Sequence, residues 1–244
     1  MWKVHAALLA AGVAVTLAAC ADAPKAENPA GVMLAGNWKL DHAASGDPQQ
    51  VIAKMRTEAE RILRRQAAQA AAAADVIPPR GGAGRGGAGG TQVPDVNPSL
   101  GADEPAAGGP HGAPRPDPLQ HSPMMHVLSQ VIARGDYLTV RQASDQLTLD
   151  FGTTQRSYTP GGRSVVSAEA GVADQTSGWD GHEYVINIKA QWGPNVIERY
   201  ALSADGTQLI DKVHIGPAEL KAVELTRVYR RTTEPAPRAV PTTD

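Results

Sequence analysis

Apolar and polar residues alternate with a period of two over most of the second half of the chain. Short turn dipeptides, among them Ser144-Asp145, Asp180-Gly181 and Asp205-Gly206, separate the alternating runs. This period is typical of strands with one buried face, and turns this short allow only hairpins. The pattern therefore predicts an antiparallel up-and-down meander within residues 136–231. Its predicted strands are 137–143, 147–151, 156–159, 163–168, 172–179, 183–192, 196–202, 209–215 and 222–230.

An earlier strand is predicted over residues 34–42, where Trp38 and Leu40 alternate with polar residues. An open meander would leave two edge strands exposed, and closure into a barrel removes such edges. The predicted fold class is therefore mainly β, an antiparallel meander that closes into a small barrel.

The turn at Asp205-Gly206 sets the register of one hairpin, because a two-residue loop fixes which residues face each other. A three-residue loop over 193–195 then sets the preceding hairpin and leaves Lys189, Arg199 and Lys212 in a row outside, either solvated or touching lipid phosphates. The pairs predicted are Leu202 with Leu209, Tyr200 with Asp211, Glu198 with Val213 and Val196 with Ile215, and Ile186, Ile188 and Ala190 join this inner face.

Three charged residues fall on the predicted inner face. Glu198 and Asp211 lie on neighbouring strands, and Arg227 alternates with apolar residues on the last strand. They are either polar groups that orient a ligand in an apolar cup or a buried ion cluster, since an unpaired buried charge is too costly to persist. The sequence leaves both interpretations open.

Between the first strand and the meander, the period becomes that of helices. Asp47-Pro48 predicts the start of an amphipathic helix within 43–74, a lid or side support for the barrel. Ser122-Pro123 and Gly135 bound a second, short helix within 122–135. Residues 75–121 are rich in Gly, Ala and Pro and predict a disordered insertion, and residues 232–244 predict a disordered tail.

The first residues predict export. A positive charge at Lys3, an apolar stretch over 4–16 and small residues before Cys20 form a leader over 1–19. Leu17-Ala18-Ala19-Cys20 resembles the lipobox of bacterial lipoproteins. The resemblance implies a lipid on Cys20 after cleavage before it, a tether over 20–33, and membrane attachment facing the periplasm, with Ala21 favouring the outer membrane.

Charge and cysteine content narrow the function classes. The net charge is -2, and removal of residues 1–19 takes away one lysine and no acidic residue, which leaves -3. So weak a balance gives no basic footprint for nucleic acid. Cys20 is the single cysteine, so a lipidated chain has no thiol for a disulfide or a thiolate nucleophile.

A second resemblance concerns the barrel. Gly36-Asn37-Trp38 is similar to the Gly-x-Trp motif of lipocalin-like (calycin) barrels, although their Thr-Asp-Tyr motif is absent. Residues 198–206 and 227–230 are similar to uncharacterised bacterial lipoproteins of small-barrel type. The resemblance implies that Trp38 closes the barrel floor against an arginine of the last strand, Arg227 or Arg230. It also implies binding of a small apolar molecule without catalysis.

No motif for catalysis is present in the sequence. It lacks the Gly-x-Ser-x-Gly elbow and the phosphate-binding Gly-x-x-x-x-Gly-Lys loop, and His182-Glu183 lacks a second histidine at helical spacing. We therefore predict a non-enzyme without a cofactor. His121, Met124, Met125 and His126 together suit copper, which remains a minor alternative.

Two main functions stay open. The first is a lipid-anchored barrel that binds a small hydrophobic ligand, and the second is a structural or partner-binding envelope lipoprotein with a filled interior. The residues predicted to contact a ligand are Ile186, Ile188, Glu198, Tyr200, Leu202, Asp211 and Arg227.

Overall fold

Ten strands and two helices make up the part of the chain described by the computed structural model, residues 24–74, 116–168 and 171–237. The predicted leader, Cys20 and most of the predicted insertion, residues 75–115, lie outside the described residues. The helices are α1 (Pro48–Ala74) and α2 (Pro123–Ile132). The strands are β1 (Gly36–Leu40), β2 (Tyr137–Gln142), β3 (Leu147–Asp150), β4 (Gln155–Tyr158), β5 (Arg163–Ala168), β6 (Gly171–Asp180), β7 (Glu183–Ala190), β8 (Val196–Leu202), β9 (Gln208–Ile215) and β10 (Val223–Thr232).

All ten strands form one antiparallel sheet in the order β4-β3-β2-β1-β10-β9-β8-β7-β6-β5. The first strand therefore joins the last strand to the rest of the meander, as expected for a lipocalin-like up-and-down arrangement. The edge strands are β4 and β5, which follow each other in the chain and share no ladder in the described sheet. The predicted mainly β meander is confirmed, and it curls into a half-barrel with a gap between β4 and β5.

The segment before β1 packs at the end of the half-barrel that contains Trp38 and Trp179, which we call the floor. Lys25 N donates to the Trp179 carbonyl at 2.7 Å, and Trp179 N donates to the Lys25 carbonyl at 2.8 Å. A Cβ at Gly178 would lie 2.6 Å from the Lys25 carbonyl oxygen, so only glycine allows this approach. Within the predicted tether over 20–33, Pro24 and Lys25 are therefore packed against β6.

Two apolar clusters fill much of the interior. The floor cluster surrounds Trp38, Tyr184, Tyr200 and Tyr229, all fully buried. The helix cluster joins α1 and α2 to the sheet through residues such as Met55, Met124, Leu128, Val213 and Leu225. In α1 the apolar stripe is covered only in the first half of the helix, since Leu63 is exposed.

The β8–β9 register is confirmed residue by residue, with Tyr200 opposite Asp211 and Arg199 opposite Lys212. The prediction of a three-residue loop between β7 and β8 is wrong. Ile188 pairs with Val196, so the register is shifted by four residues, although the inner face is unchanged. The loop is longer for two reasons. Pro194 has no N–H to donate to a strand partner. The chain after β7 also continues along β6, where Gln191 N donates to the Val172 carbonyl.

Both predicted helices are present, and Ser122 Oγ caps α2 by accepting from Met125 N at 3.0 Å. The predicted insertion extends too far at its C-terminal end. Leu119 is buried in the helix cluster, and Arg56 of α1 pairs with Asp117 at 2.8 Å. Part of the predicted tail is also packed, because Ala236 N donates to Thr139 Oγ1 at 3.0 Å.

Within the described ranges, neither helix is long and apolar enough to cross a bilayer.

Candidate functional site

A cavity of about 750 Å³ lies between α2 and the inner faces of strands β4 to β8. Its mouth, at the helix end, is bordered by residues 120–122 before α2, by the first residue of α2 and by the β7–β8 loop, where Trp192 is 68% exposed. Ser157 and Ser167 line it on the two edge strands, so it also reaches the gap between β4 and β5. The chain therefore encloses a space that is open on two sides.

Part of the cavity lining is apolar, both on α2 and on the facing strands. α2 contributes Val127 and Val131, and the facing strands contribute Val166, Ile188 and Val196. These side chains present aliphatic surface on both sides of the space, which suits the apolar part of a small molecule.

The inner end of the cavity is built on a buried ion pair between Arg134 and Glu198. Arg134 Nη1 donates to Glu198 Oε2 at 2.9 Å, and Arg134 Nη2 donates to Glu198 Oε1. Tyr200 Oη also donates to Glu198 Oε2, at 2.8 Å. Burial opposes ionisation of Glu198, but the charge and hydrogen bonds of Arg134 outweigh it, so the pKa of Glu198 lies below its usual value.

Asp211 lies behind this pair and is completely buried. Arg134 Nη1 is 3.9 Å from Asp211 Oδ2, and neither carboxylate oxygen has a hydrogen-bond partner among the described residues. Burial, and then the nearby negative charge of Glu198, raise the pKa of Asp211 to about 7. Asp211 is therefore partly protonated at neutral pH, while Glu198 stays ionised.

Arg227 has a structural role at the end of α2. Its guanidinium donates to the carbonyl oxygens of Val131 and Gly135, at and just beyond the last turn of the helix. A cation at a helix C-terminus satisfies free carbonyl groups and the helix dipole. Arg227 thus fixes α2 over the cavity and does not line it.

The predicted ligand-contacting residues separate into two groups. Ile188 and Glu198 line the cavity. Ile186, Tyr200, Asp211 and Arg227 are buried beside it, and half-buried Leu202 packs against the floor cluster, so these five do not line the space. Glu198 and Asp211 lie in an ion cluster with Arg134, and Glu198 faces the cavity. Whether these charges orient a ligand stays a prediction.

The floor arginine is Arg231. Its guanidinium lies 4.4 Å from the ring centroid of Trp38. The two residues are also direct cross-strand partners, Trp38 on β1 and Arg231 on β10. The predicted alternatives are placed elsewhere, since Arg230 donates to Asp41 Oδ2 outside and Arg227 binds the end of α2.

Sequence reasoning missed Arg134, Arg156 and Tyr158, which all line the cavity. Arg156 and Tyr158 alternate on a predicted strand, so their shared face could have been read from the period of two. Arg134 precedes the glycine that ends α2, and its partner Glu198 is 64 residues away. No local pattern indicates that pairing.

The predicted copper cluster is only partly assembled. His121 and His126 both line the cavity mouth, whereas Met124 is fully buried and Met125 half-buried in the helix cluster. Across residues 24–74, 116–168 and 171–237, no group of three or more His, Cys, Asp or Glu side chains is placed to hold a metal ion.

No protein-family model matches the chain, and no curated protein matches it in sequence. Among solved structures, apo lipid binding protein 8 of Caenorhabditis elegans resembles it with a TM-score of 0.42 and 9% identity, over 83% of this chain and 100% of that one. The zebrafish ileal bile acid-binding protein in complex with cholic acid gives 0.32 and 15%, over 45% and 85%. The Schistosoma mansoni fatty acid binding protein in complex with arachidonic acid gives 0.32 and 13%, over 40% and 70%. Likenesses at this level decide neither family nor ligand.

Proposed function

We propose that the protein binds a small amphipathic molecule in the cavity between α2 and strands β4 to β8, and that it does so without catalysis. The cavity carries this proposal. Its volume of about 750 Å³ is within the range of roughly 300–1,000 Å³ that is usual for small-molecule sites. An apolar wall and a few convergent polar groups are the usual composition of such sites.

The distribution of the core supports ligand binding over a purely structural role. The floor and helix clusters fill the interior on either side of the cavity with buried side chains. The cavity is therefore a local exception in an otherwise packed interior. Next to the cavity, Arg227 holds the end of α2 by two hydrogen bonds to carbonyl oxygens. The end of α2 is thus fixed in place, and no side chain fills the cavity beneath it.

Filling the cavity should weaken binding. Ala190 lines the cavity, and a phenylalanine there would occupy the space next to Ile188. We expect Ala190→Phe to weaken binding of the uncharged fluorescent probe N-phenyl-1-naphthylamine by at least about tenfold, which is about 1.4 kcal/mol. Fluorescence titration measures this, and circular dichroism checks that the variant is folded.

Ala201→Phe is the matched control. Ala201 alternates with Tyr200 on β8, so it faces outward, and it does not line the cavity. Its variant should bind the probe like the unaltered protein. If the two variants bind equally well, or if the unaltered protein does not bind the probe, the cavity is not a binding site.

We further propose that Cys20 carries a lipid and anchors the protein to a cell-envelope membrane. The lipobox-like sequence supports this proposal, and so does the position of the segment that follows Cys20. Lys25 is held by Trp179, which belongs to the floor cluster, whereas α2 packs in the helix cluster. The link from Cys20 to Pro24 spans at most about 14 Å. An anchor there would leave the cavity mouth, at the helix end, accessible.

Labelled palmitate tests the anchor. In a bacterial host that lipidates exported proteins, the chain should incorporate label and sediment with membranes. Cys20→Ala should lose the label completely, because Cys20 is the single cysteine. Label that persists in Cys20→Ala would exclude Cys20 as the attachment site.

A further inference from the structure

The groups that the cavity offers to a ligand are not balanced between donors and acceptors. Among the described residues that line the cavity, Glu198 is the one acidic residue. Its carboxylate already accepts two hydrogen bonds from Arg134 and one from Tyr200. Its capacity to accept further bonds from a ligand is therefore largely used.

The donors are still available. Arg156 lies on β4, its side chain is 34% exposed, and its Nη1 is 3.7 Å from Glu198 Oε1, too far for a hydrogen bond. Tyr158 lies on the same face of β4, and its buried hydroxyl has no hydrogen-bond partner among the described residues. A guanidinium and a hydroxyl together can donate several hydrogen bonds to one group.

The charge of the cluster is also unbalanced. Three guanidinium groups, those of Arg134, Arg156 and Arg227, lie around two carboxylates, those of Glu198 and Asp211. Because burial and Glu198 raise the pKa of Asp211 to about 7, part of that negative charge is lost at neutral pH. The cluster is therefore net positive, and Arg156 is its member nearest the gap between β4 and β5. An anion placed there gains favourable interactions in a partly desolvated site.

We propose that the ligand is an amphiphile with an anionic head, a carboxylate or a phosphate monoester, and that Arg156 and Tyr158 bind this head. The inference rests on the proposed ligand binding and deepens it. The head lies beside the gap between β4 and β5, near Ser157 and Ser167, where water can reach it. The apolar chain runs beneath α2 against Val131 and Ile188.

Four probes with the same alkyl chain test the inference: dodecanoate, dodecyl phosphate, 1-dodecanol and dodecylammonium. Each competes with N-phenyl-1-naphthylamine below its micelle concentration. We expect the anions to bind at least tenfold more tightly than 1-dodecanol, and dodecylammonium to bind most weakly. The carboxylate and phosphate arms distinguish a fatty acid from a phospholipid-derived ligand.

Arg156→Gln should remove the preference for anions, because it weakens binding of dodecanoate and dodecyl phosphate by a much larger factor than binding of 1-dodecanol. Arg163→Gln is the matched control, because Arg163 is exposed at the start of β5 and does not line the cavity. It should keep the full preference. Arg156→Lys, which retains the charge, should keep part of it.

Two results would overturn the inference: equal binding of dodecanoate and 1-dodecanol, or an equal loss of both in Arg156→Gln. If none of the four probes binds, the proposed function itself fails, which is a different outcome. If Arg156→Gln does not fold, Tyr158→Phe decides instead. It should weaken binding of the anions by about threefold to tenfold and binding of 1-dodecanol by less, and an unchanged preference for anions would overturn the inference.

Discussion

Replacing Arg134 with methionine is expected to lower the free energy of unfolding by about 3–5 kcal/mol. Arg134 is 5% exposed and is the bidentate partner of Glu198, which is 2% exposed. Without the Arg134 guanidinium, the Glu198 carboxylate would remain buried and would lose its two charge-assisted hydrogen bonds. Arg156 would remain as a longer ion pair without a hydrogen bond, with its Nη1 3.7 Å from Glu198 Oε1. Urea denaturation followed by circular dichroism measures the loss.

Two further variants separate this effect from a general sensitivity to lost arginines. Arg141→Met removes an exposed partner of Asp150 and should cost less than about 1 kcal/mol. The double variant Arg134→Met/Glu198→Met removes both charges and should recover most of the loss, since apolar pairs often replace buried ion pairs without cost. A single Arg134→Met variant as stable as Arg141→Met would contradict the buried ion pair.

Asp211→Asn is expected to remove a pH dependence of stability. The pKa of Asp211 is raised from 3.8 to about 7 in the folded chain, so between about pH 4 and pH 7 the folded state binds the proton more tightly than the unfolded state. The free energy of unfolding therefore falls as pH rises through this window, by up to about 1.4 kcal/mol per pH unit. Asparagine cannot ionise, so its variant should lack this fall.

Urea denaturation at several pH values between about 5 and 8 measures the slope, and the informative quantity is the difference between variants, because all of them share the same histidines. Asp205→Asn is the control. The hydrogen bonds from Ser203 and Thr207 lower the pKa of Asp205 to about 2, so its contribution is lost only in more acidic solution. Asp205→Asn should keep the slope of the unaltered protein. An equal slope in Asp211→Asn would show that Asp211 is ionised throughout this range.

Strand positions and the β8–β9 register could be predicted because they depend on residues close together in the sequence. Asp205-Gly206 sets a tight turn, and the alternation on both sides of it allows only one inner face, so Tyr200 meets Asp211 as expected. The neighbouring loop at Pro194 could not be predicted, because its length depends on how far β7 follows β6. The inner face remained correct because a shift of four residues preserves the period of two.

The candidate site was harder to predict because its groups meet only through tertiary structure. Arg230 and Arg231 differ by one position on β10, which places one outside with Asp41 and the other over Trp38. Arg134 follows a helix whose orientation is fixed by Arg227, and neither contact has a sequence pattern of its own. The charges of Glu198 and Asp211 could be placed inside, but the cations that decide their pKa values could not be identified.

Native mass spectrometry of the protein isolated from its own host, after delipidation of any anchor, tests most directly whether the cavity holds a small molecule. The account predicts a bound species that leaves on collisional activation and is absent from Ala190→Phe prepared in the same way. A clean apo mass for the unaltered protein, at a sensitivity that detects an added probe, would contradict it.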